Sequence, residues 1–210
     1  EIQKDSFSIF LLPERKPFVY KKIVQKEANK SEVLSQRDYA VAKEVFSFIK
    51  QKQWKAAIKA SKRVKDKDFR NLVTWIYLKE KRNAASFNDY SNFIESNKNY
   101  PRINRLKYLA EHKINLQNTS VNTIIGWFDD DPPLSGFGKI KLGEAYLKKG
   151  RIEEGSSFIK EGWITASLSS KDLRYLSRKY KKIINSNDHI KRADYLAWEN
   201  KYWDLKRILR

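Results

Sequence analysis

The chain has 210 residues and carries 44 Lys and Arg against 25 Asp and Glu, which gives a net charge of +19. It contains no cysteine, so disulfides, a thiol nucleophile and zinc–thiolate sites are excluded. No apolar run is long enough to span a bilayer, and we expect no transmembrane segment. Because 40% of the residues are hydrophobic and 13% are aromatic, the chain can build a core, and we expect residues 1–210 to form a single domain.

The first predicted feature is an irregular lead-in over residues 1–17, where Pro13 and Pro17 interrupt any regular pattern. The chain begins at Glu1, and no charged and then apolar leader is visible. We therefore expect a mature chain from which a signal peptide has been removed.

Downstream, apolar residues recur at spacings of three and four, which is typical of helices with one buried face. These stripes cover residues 41–49, 54–61, 69–77, 87–94 and 152–166. Their aromatic side chains are predicted to serve the core more than to form ligand platforms; they are Trp54, Trp75, Phe87, Tyr90, Phe93 and Trp163. No alternating strand pattern competes, so we predict an all-α chain of about eleven or twelve helices joined by short loops.

Capping residues mark several of the helix starts. A serine followed three residues later by an aspartate, which is a helix-start pattern, occurs at Ser35, Ser86 and Ser169. In addition, Pro101 fits the first turn of a helix that continues to Glu111.

The strongest break in the helical pattern is Asp131-Pro132-Pro133, where two prolines prevent a helix from continuing. The amphipathic pattern resumes directly afterwards. We therefore expect a loop between helices at this point rather than a linker between domains.

One predicted helix is strongly basic. Its lysines follow spacings of three, four and three, which would align them on one face: Lys52, Lys55, Lys59 and Lys62. A solvated outer face is the plain interpretation, and an anion-binding face is the functional alternative. Nucleic acid is the less favoured anion, because a face of lysines lacks the arginine side chains that make bidentate hydrogen bonds to bases.

Residues 142–155 have the spacing of a tetratricopeptide helix pair, with Leu142-Gly143, Tyr146, Gly150 and Gly155. Small residues at 143 and 155 would let the two helices touch, and Gly150 could adopt the left-handed turn between them.

Weaker echoes of this hairpin occur at residues 46–57 and 198–205, where a helix and a basic turn are followed by Trp54 or Trp203. A series of such hairpins buries its apolar faces by stacking. We predict a right-handed superhelix, or solenoid, of antiparallel helix hairpins, similar to tetratricopeptide arrays.

The second half of the chain contains a series of sequence blocks in a family-like order. They are Asn99-Tyr100-Pro101-Arg102 with Arg105-Leu106 and Ala110-Glu111, then Trp127-Phe128 with Pro132-Pro133-Leu134 and Gly136, the hairpin at 142–150, Gly155 and Trp163, and Asp188-His189 with Arg192 and Trp198. On these blocks, residues 87–210 resemble the helical superhelix of the soluble lytic murein transglycosylases, periplasmic enzymes that cleave peptidoglycan. The first 85 residues share only helical character with that family.

The resemblance implies a curved helical scaffold followed by a lysozyme-like catalytic domain. In that domain one glutamate acts as acid and then as base while the 6-hydroxyl of muramic acid attacks, giving an anhydro product. The family's site is a Glu-Ser pair followed by a glycine-rich segment. The Glu-Ser pair of this chain, Glu95-Ser96, continues as Asn97-Lys98-Asn99-Tyr100, so we reject Glu95 as catalytic and predict no active site here.

Other candidate sites lack the spacing that their chemistry needs. Gly136-Phe137-Gly138-Lys139 lacks the Ser or Thr of a phosphate loop, and Glu153-Glu154 would point apart on a helix. Asp129-Asp130-Asp131 does not match a calcium loop, and His112 and His189 have no ligand-spaced partners. We predict no cofactor and no metal.

The sequence therefore predicts the non-catalytic scaffold domain of a periplasmic lytic transglycosylase, with peptidoglycan strands as its partner. In this interpretation the substrate-binding residues are those of the basic face, which would meet stem-peptide carboxylates: Lys52, Lys55, Lys59 and Lys62. The alternative is a tetratricopeptide-like scaffold whose concave face binds a protein, and a nucleic-acid-binding solenoid is a third hypothesis.

Overall fold

The computed structural model describes residues 31–80, 82–129 and 131–209. These residues form eleven helices and no β-strand: α1 Gln36–Lys50, α2 Trp54–Ser61, α3 Lys67–Lys79, α4 Phe87–Ser96, α5 Ile103–Glu111, α6 Val121–Asp129, α7 Gly136–Lys148, α8 Ile152–Thr165, α9 Ser170–Lys179, α10 Ser186–Trp198 and α11 Tyr202–Ile208. The all-α prediction is confirmed for this part of the chain, and the predicted lead-in over residues 1–17 lies outside it. None of these helices combines the length and apolar character needed to cross a membrane.

The helix starts predicted at serine are confirmed. The N-caps of α1, α4 and α9 are Ser35, Ser86 and Ser169, and each hydroxyl accepts a hydrogen bond from the backbone N–H three residues later. In α4 the Asp89 carboxylate also accepts from the Ser86 N–H at 2.7 Å, which completes a capping box.

The predicted helix start at Pro101 is wrong, although the helix ends at Glu111 as expected. Helix α5 begins at Ile103, because its N-cap Arg102 has a φ of 57°, a left-handed conformation that a right-handed helix cannot contain. The Pro101 carbonyl instead accepts a hydrogen bond from Trp75 Nε1 at 2.9 Å. Tertiary contact with α3 therefore shifts the start of α5.

The predicted break at Asp131-Pro132-Pro133 is confirmed as part of the loop between α6 and α7. The glycine-containing segment 136–139 is the first turn of α7 and not a phosphate loop. Ser135 is its N-cap, and the Ser135 hydroxyl accepts from the Gly138 N–H at 2.9 Å.

Three helix hairpins share one turn geometry. The pairs α1–α2, α7–α8 and α10–α11 are joined through residues with positive φ, namely Lys52 at 58°, Gly150 at 80° and Asn200 at 55°. In each turn the next residue donates its N–H to a carbonyl five residues earlier: Gln53 to Phe48 at 2.9 Å, Arg151 to Tyr146 at 3.0 Å and Lys201 to Leu196 at 2.8 Å. This arrangement is the Schellman motif. The predicted left-handed Gly150 is confirmed, and both weaker echoes have the same turn.

The close approach of α7 and α8 depends on two glycines. A Cβ on Gly143 would lie 2.7 Å from the Gly155 carbonyl oxygen and 2.8 Å from Cγ1 of Ile159. A Cβ on Gly155 would lie 2.8 Å from Cγ of Leu147. The helix backbones therefore touch where the sequence predicts small residues.

The helices pack mainly against near neighbours in chain order. In the described ranges, every pair of helices with extensive contact is one or two positions apart, as in α1–α2, α3–α5, α5–α7 and α8–α10. The buried side chains form three successive clusters, around Val45 in α1–α3, around Leu106 between α3 and α7, and around Trp163 between α7 and the segment after α9. The core is thus distributed along the chain, which is typical of stacked hairpins.

Candidate binding site

The four lysines of the predicted basic face are exposed, but they do not belong to one helix. Helix α2 contains Lys55 and Lys59, whereas Lys62 is its C-cap. Placing Lys52 in the same helix was wrong, because its left-handed conformation belongs to the turn before α2. That Lys52, Lys55, Lys59 and Lys62 bind an anion stays a prediction.

A cavity of about 360 Å³ lies between α4, α5, α6 and the loop that follows α6. Its size falls within the range of small-molecule sites, which is roughly 300–1,000 Å³. The lining combines hydrophobic and charged side chains, and these include Phe87, Ile94, Ile103, Trp127, Phe128 and Leu134 together with Glu95, Lys98, Lys107, Glu111 and Asp131. The lysines of the predicted basic face do not line this cavity.

An aromatic pair forms the apolar part of the cavity wall. The rings of Phe87 and Trp127 meet edge to face, with centroids 5.2 Å apart and planes at 79°. Phe87 is buried and Trp127 is half-buried. The contact holds the indole in one orientation while part of its surface remains open to the cavity.

The rim of the cavity carries both signs of charge. Glu95 and Lys98 are exposed near the end of α4, and Lys98 makes no ion pair with any residue that the structure describes. Elsewhere in the lining, Lys107 of α5 pairs with Asp131 of the loop that follows α6. A ligand that carries a carboxylate and an amine would therefore find partners for both groups at the rim.

Glu111 closes the inner wall of the cavity, and its carboxylate is fully engaged. It is 2% exposed and accepts hydrogen bonds from the Leu134 N–H at 2.6 Å, from the Ser135 N–H at 2.8 Å and from the Ser135 hydroxyl. Burial raises the pKa of Glu111, and the three donors oppose that rise. The carboxylate positions the loop and the start of α7, so it is not a free acid facing the cavity.

A second buried carboxylate joins α7 to the region of α9. Glu144 accepts hydrogen bonds from Lys141 Nζ at 3.0 Å, from Lys179 Nζ at 2.6 Å and from the Tyr180 hydroxyl. Burial alone would raise the pKa of Glu144, but the two ammonium groups and the hydroxyl outweigh burial and hold this pKa below its ordinary value. Burial and the Glu144 charge raise the pKa of Tyr180. This cluster is a tertiary contact between helices.

The block Asp188-His189 lies in the first turn of α10, where Asp188 completes a capping box with Asn185. One turn later Arg192 is buried, donates from Nη1 to the Trp163 carbonyl and has its guanidinium 5.2 Å from the Trp163 ring centroid. Burial lowers the pKa of Arg192 to about 10. These contacts give the block a role in docking α10 on α8.

The other candidate residues from the sequence analysis are acidic residues and two histidines. Glu153 and Glu154 are exposed on α8, and Asp129 and Asp131 are exposed around Asp130, which lies outside the described residues. Within the ranges described, no group of three or more His, Asp or Glu side chains could hold a metal ion. His112 stacks on Phe137 with centroids 5.3 Å apart, and His189 meets Trp163 edge to face.

The cavity is large enough for a small ligand, but its described carboxylates are not arranged as an acid–base pair. The Glu111 carboxylate accepts hydrogen bonds from the loop before α7, Asp131 is paired with Lys107, and Glu95 is exposed at the rim. Sequence reasoning considered Glu95 and missed Lys98, Lys107 and Trp127 as neighbours around one space. The sequence contains little sign of this grouping, because Lys107 and Asp131 are 24 residues apart and meet only in the folded chain.

Comparisons of the chain with protein-family models, with curated proteins and with solved structures gave no match.

Proposed function

We propose that this chain is a non-catalytic helical scaffold that binds peptidoglycan strands, the role that its resemblance to the superhelix of soluble lytic transglycosylases implies. The observation that carries the proposal is the cavity between α4, α5 and α6. Residues of the blocks that define the resemblance line this cavity, among them Glu111, Trp127, Phe128, Pro132 and Leu134. The proposal includes a periplasmic location and assigns glycan cleavage to a catalytic domain that is not among residues 1–210.

The chemistry of a muropeptide fits the lining. Its sugar ring and methyl groups offer apolar surface to Trp127, and its stem peptide offers carboxylates and amines. Lys98 is available for a carboxylate and Glu95 for an amine, since both are exposed at the rim. The net charge of +19 would also concentrate an anionic polymer near the protein.

We also propose that the hairpins stack as a right-handed superhelix of the tetratricopeptide type. The contacts of α3 with α5 and of α5 with α7 support this arrangement, because alternate helices of successive hairpins pack together in such arrays. The shared Schellman turn of three hairpins supports it as well.

The binding proposal is tested with a soluble disaccharide pentapeptide muropeptide, titrated by calorimetry. We expect Lys98→Glu to weaken binding at least tenfold, since a lost hydrogen bond to a charged group costs roughly 1.5–3 kcal/mol. Lys62→Glu is the matched control, because it makes the same charge change at an exposed residue away from the cavity. If Lys62→Glu weakens binding and Lys98→Glu does not, the basic face and not the cavity binds the ligand.

A separate assay tests the non-catalytic part of the proposal. The purified chain is incubated with intact peptidoglycan sacculi, and the supernatant is analysed for anhydro-muropeptides by mass spectrometry. We expect the chain to sediment with the sacculi and to release no anhydro product. Release that is abolished by Glu95→Gln would show that the rim carboxylate is catalytic after all.

A further inference from the structure

The turn that joins α10 and α11 exposes three aromatic side chains within six residues. Trp198 is 86% exposed, Tyr202 is 59% exposed and Trp203 is 70% exposed. The Tyr202 and Trp203 rings lie 5.2 Å apart. We call Trp198, Tyr202 and Trp203 the aromatic tip. Exposed aromatic residues that cluster in this way mark an interaction surface.

The other two hairpins show that these turn positions are exposed in general, and that they do not require tryptophan. Counted from the left-handed residue, Trp198 corresponds to Lys50 and Lys148, and Trp203 corresponds to Lys55 and Glu153. All four of those counterparts are exposed, although further helices follow both hairpins. The positions of Trp198 and Trp203 therefore face solvent even where the stack continues, and stacking does not account for tryptophan there.

Cationic groups accompany the aromatic tip. Lys206 Nζ lies 5.7 Å from the Tyr202 ring centroid and 5.6 Å from that of Trp203. Between residues 198 and 207 the acids are Glu199, which is exposed, and Asp204, which pairs with Arg207 and accepts a hydrogen bond from Ser167. The tip thus combines apolar rings with the ammonium group of Lys206 on a chain of net charge +19.

We propose that the aromatic tip docks on the surface of an anionic lipid bilayer. Tryptophan and tyrosine favour the membrane–water interface, where the ring is shielded and its polar edge stays hydrated, and lysine beside them reaches lipid phosphates. The positive charge of the whole chain supplies the long-range attraction. The Tyr202 and Trp203 planes meet at 75°, so they do not form one flat platform of the kind that stacks on a sugar strand. This inference does not depend on the peptidoglycan proposal.

The test is flotation of the full chain with vesicles of phosphatidylcholine alone and with 30% phosphatidylglycerol. We expect binding to the anionic vesicles only, reduced at least tenfold by the double variant Trp198→Ala/Trp203→Ala, because the variant removes the two indoles that would enter the membrane–water interface. Ile152→Ala is the matched control, since Ile152 is 60% exposed beside the turn of another hairpin. Circular dichroism of each variant verifies that the helical content is unchanged.

Brominated phosphatidylcholine in the anionic vesicles locates the contact. We expect it to quench the fluorescence of the wild-type chain and to quench that of the double variant much less. Equal flotation of wild type and double variant, binding that does not require anionic lipid, or no binding at all would each overturn the proposal. Concentration-dependent dimerisation that the double variant abolishes would assign the tip to a second copy of the chain instead.

Discussion

Two buried carboxylates show how single residues connect helices that are far apart in sequence. Glu111 accepts three hydrogen bonds from Leu134 and Ser135, but burial outweighs these donors and raises its pKa. Glu144 is held by Lys141 and Lys179, and its pKa is lowered. The two residues should therefore make the stability of the fold depend on pH in opposite directions.

For Glu144, a lowered pKa means that its ion pairs stabilise the folded chain above pH 4.5 and lose this effect as the pH falls through the folded-state pKa. We expect Glu144→Gln to cost about 2 kcal/mol at pH 7, because hydrogen bonds to charged groups contribute roughly 1.5–3 kcal/mol. The difference between wild type and variant should shrink below pH 4.5. Urea unfolding followed by circular dichroism measures it, and a difference that stays constant into acid would contradict the assignment.

For Glu111 the sign is reversed. A raised pKa means that ionisation in the folded state is disfavoured, so the contribution of this residue declines as the pH rises from 4.5 through the folded-state pKa. Glu111→Gln should therefore become more favourable relative to wild type as the pH rises over that interval. The same urea titrations test this trend, and parallel pH profiles for the wild type and the variant would exclude it.

Two glycines allow a matched test of helix contact. Gly143→Ala places a Cβ 2.7 Å from the Gly155 carbonyl oxygen, so we expect a loss of about 1–3 kcal/mol from overpacking. Gly126→Ala meets no atom within 4 Å on the exposed side of α6 and should stabilise the chain by about 0.5–1 kcal/mol, because alanine favours the helix. Thermal unfolding of both variants tests this, with a lower Tm expected for Gly143→Ala and a higher Tm for Gly126→Ala. Similar changes in Tm for both variants would contradict the close contact of α7 and α8.

At the scale of the elements, the Schellman turn is the unit that recurs. Gly150 occupies its left-handed position without strain, whereas Lys52 carries a Cβ there at a φ of 58°. We expect Lys52→Gly to stabilise the α1–α2 hairpin by about 0.5–1 kcal/mol. Glycine removes the steric cost of the left-handed conformation, and the larger backbone entropy that it loses on folding offsets part of this gain. Asn200→Gly should gain less, since asparagine tolerates this conformation. Urea midpoints give the comparison, and a loss of stability in Lys52→Gly would show that the Lys52 side chain makes a stabilising contact.

The helices and their boundaries were predictable wherever the signal is local. The Ser86–Asp89 capping box, the left-handed Gly150 and the proline break after α6 involve residues within a few positions of one another. The start of α5 was predicted incorrectly because Pro101 is held by Trp75, which is 26 residues away. Capping patterns describe the chain's own backbone, and they contain no information about such a partner.

The candidate site was less predictable than the fold, for the same reason. The basic pattern at Lys55 and Lys59 is visible in the sequence and corresponds to an exposed helix face. The cavity brings together Lys98 from the turn after α4, Lys107 from α5 and Trp127 from α6, and no spacing in the sequence joins them. Helical periodicity gives the buried face of each helix, whereas the space between helices depends on how they cross.

At the scale of the whole molecule, the distributed core separates the cavity from the aromatic tip. The cavity lies between α4 and α6 beside the central cluster, and the aromatic tip lies on the last hairpin. No extensive contact in the described ranges links helices more than two positions apart in chain order. If both proposals hold, the stacked arrangement implies that a ligand in the cavity and a surface at the aromatic tip bind with little interference between them.

The same architecture predicts that damage to one cluster stays local. Val45 is fully buried in the cluster of α1–α3, and Val45→Ala should cost about 2 kcal/mol through the lost methyl groups and the cavity that they leave. In the proposed stack, stability is the sum of the units and their nearest interfaces, so hydrogen exchange should accelerate in α1, α2 and α3 and remain unchanged in α7 and α8. Mass spectrometry of exchanged peptides resolves these regions. Equal acceleration throughout the chain would mean that the helices unfold as one cooperative unit. The three buried clusters would then not differ in stability, which would contradict the prediction.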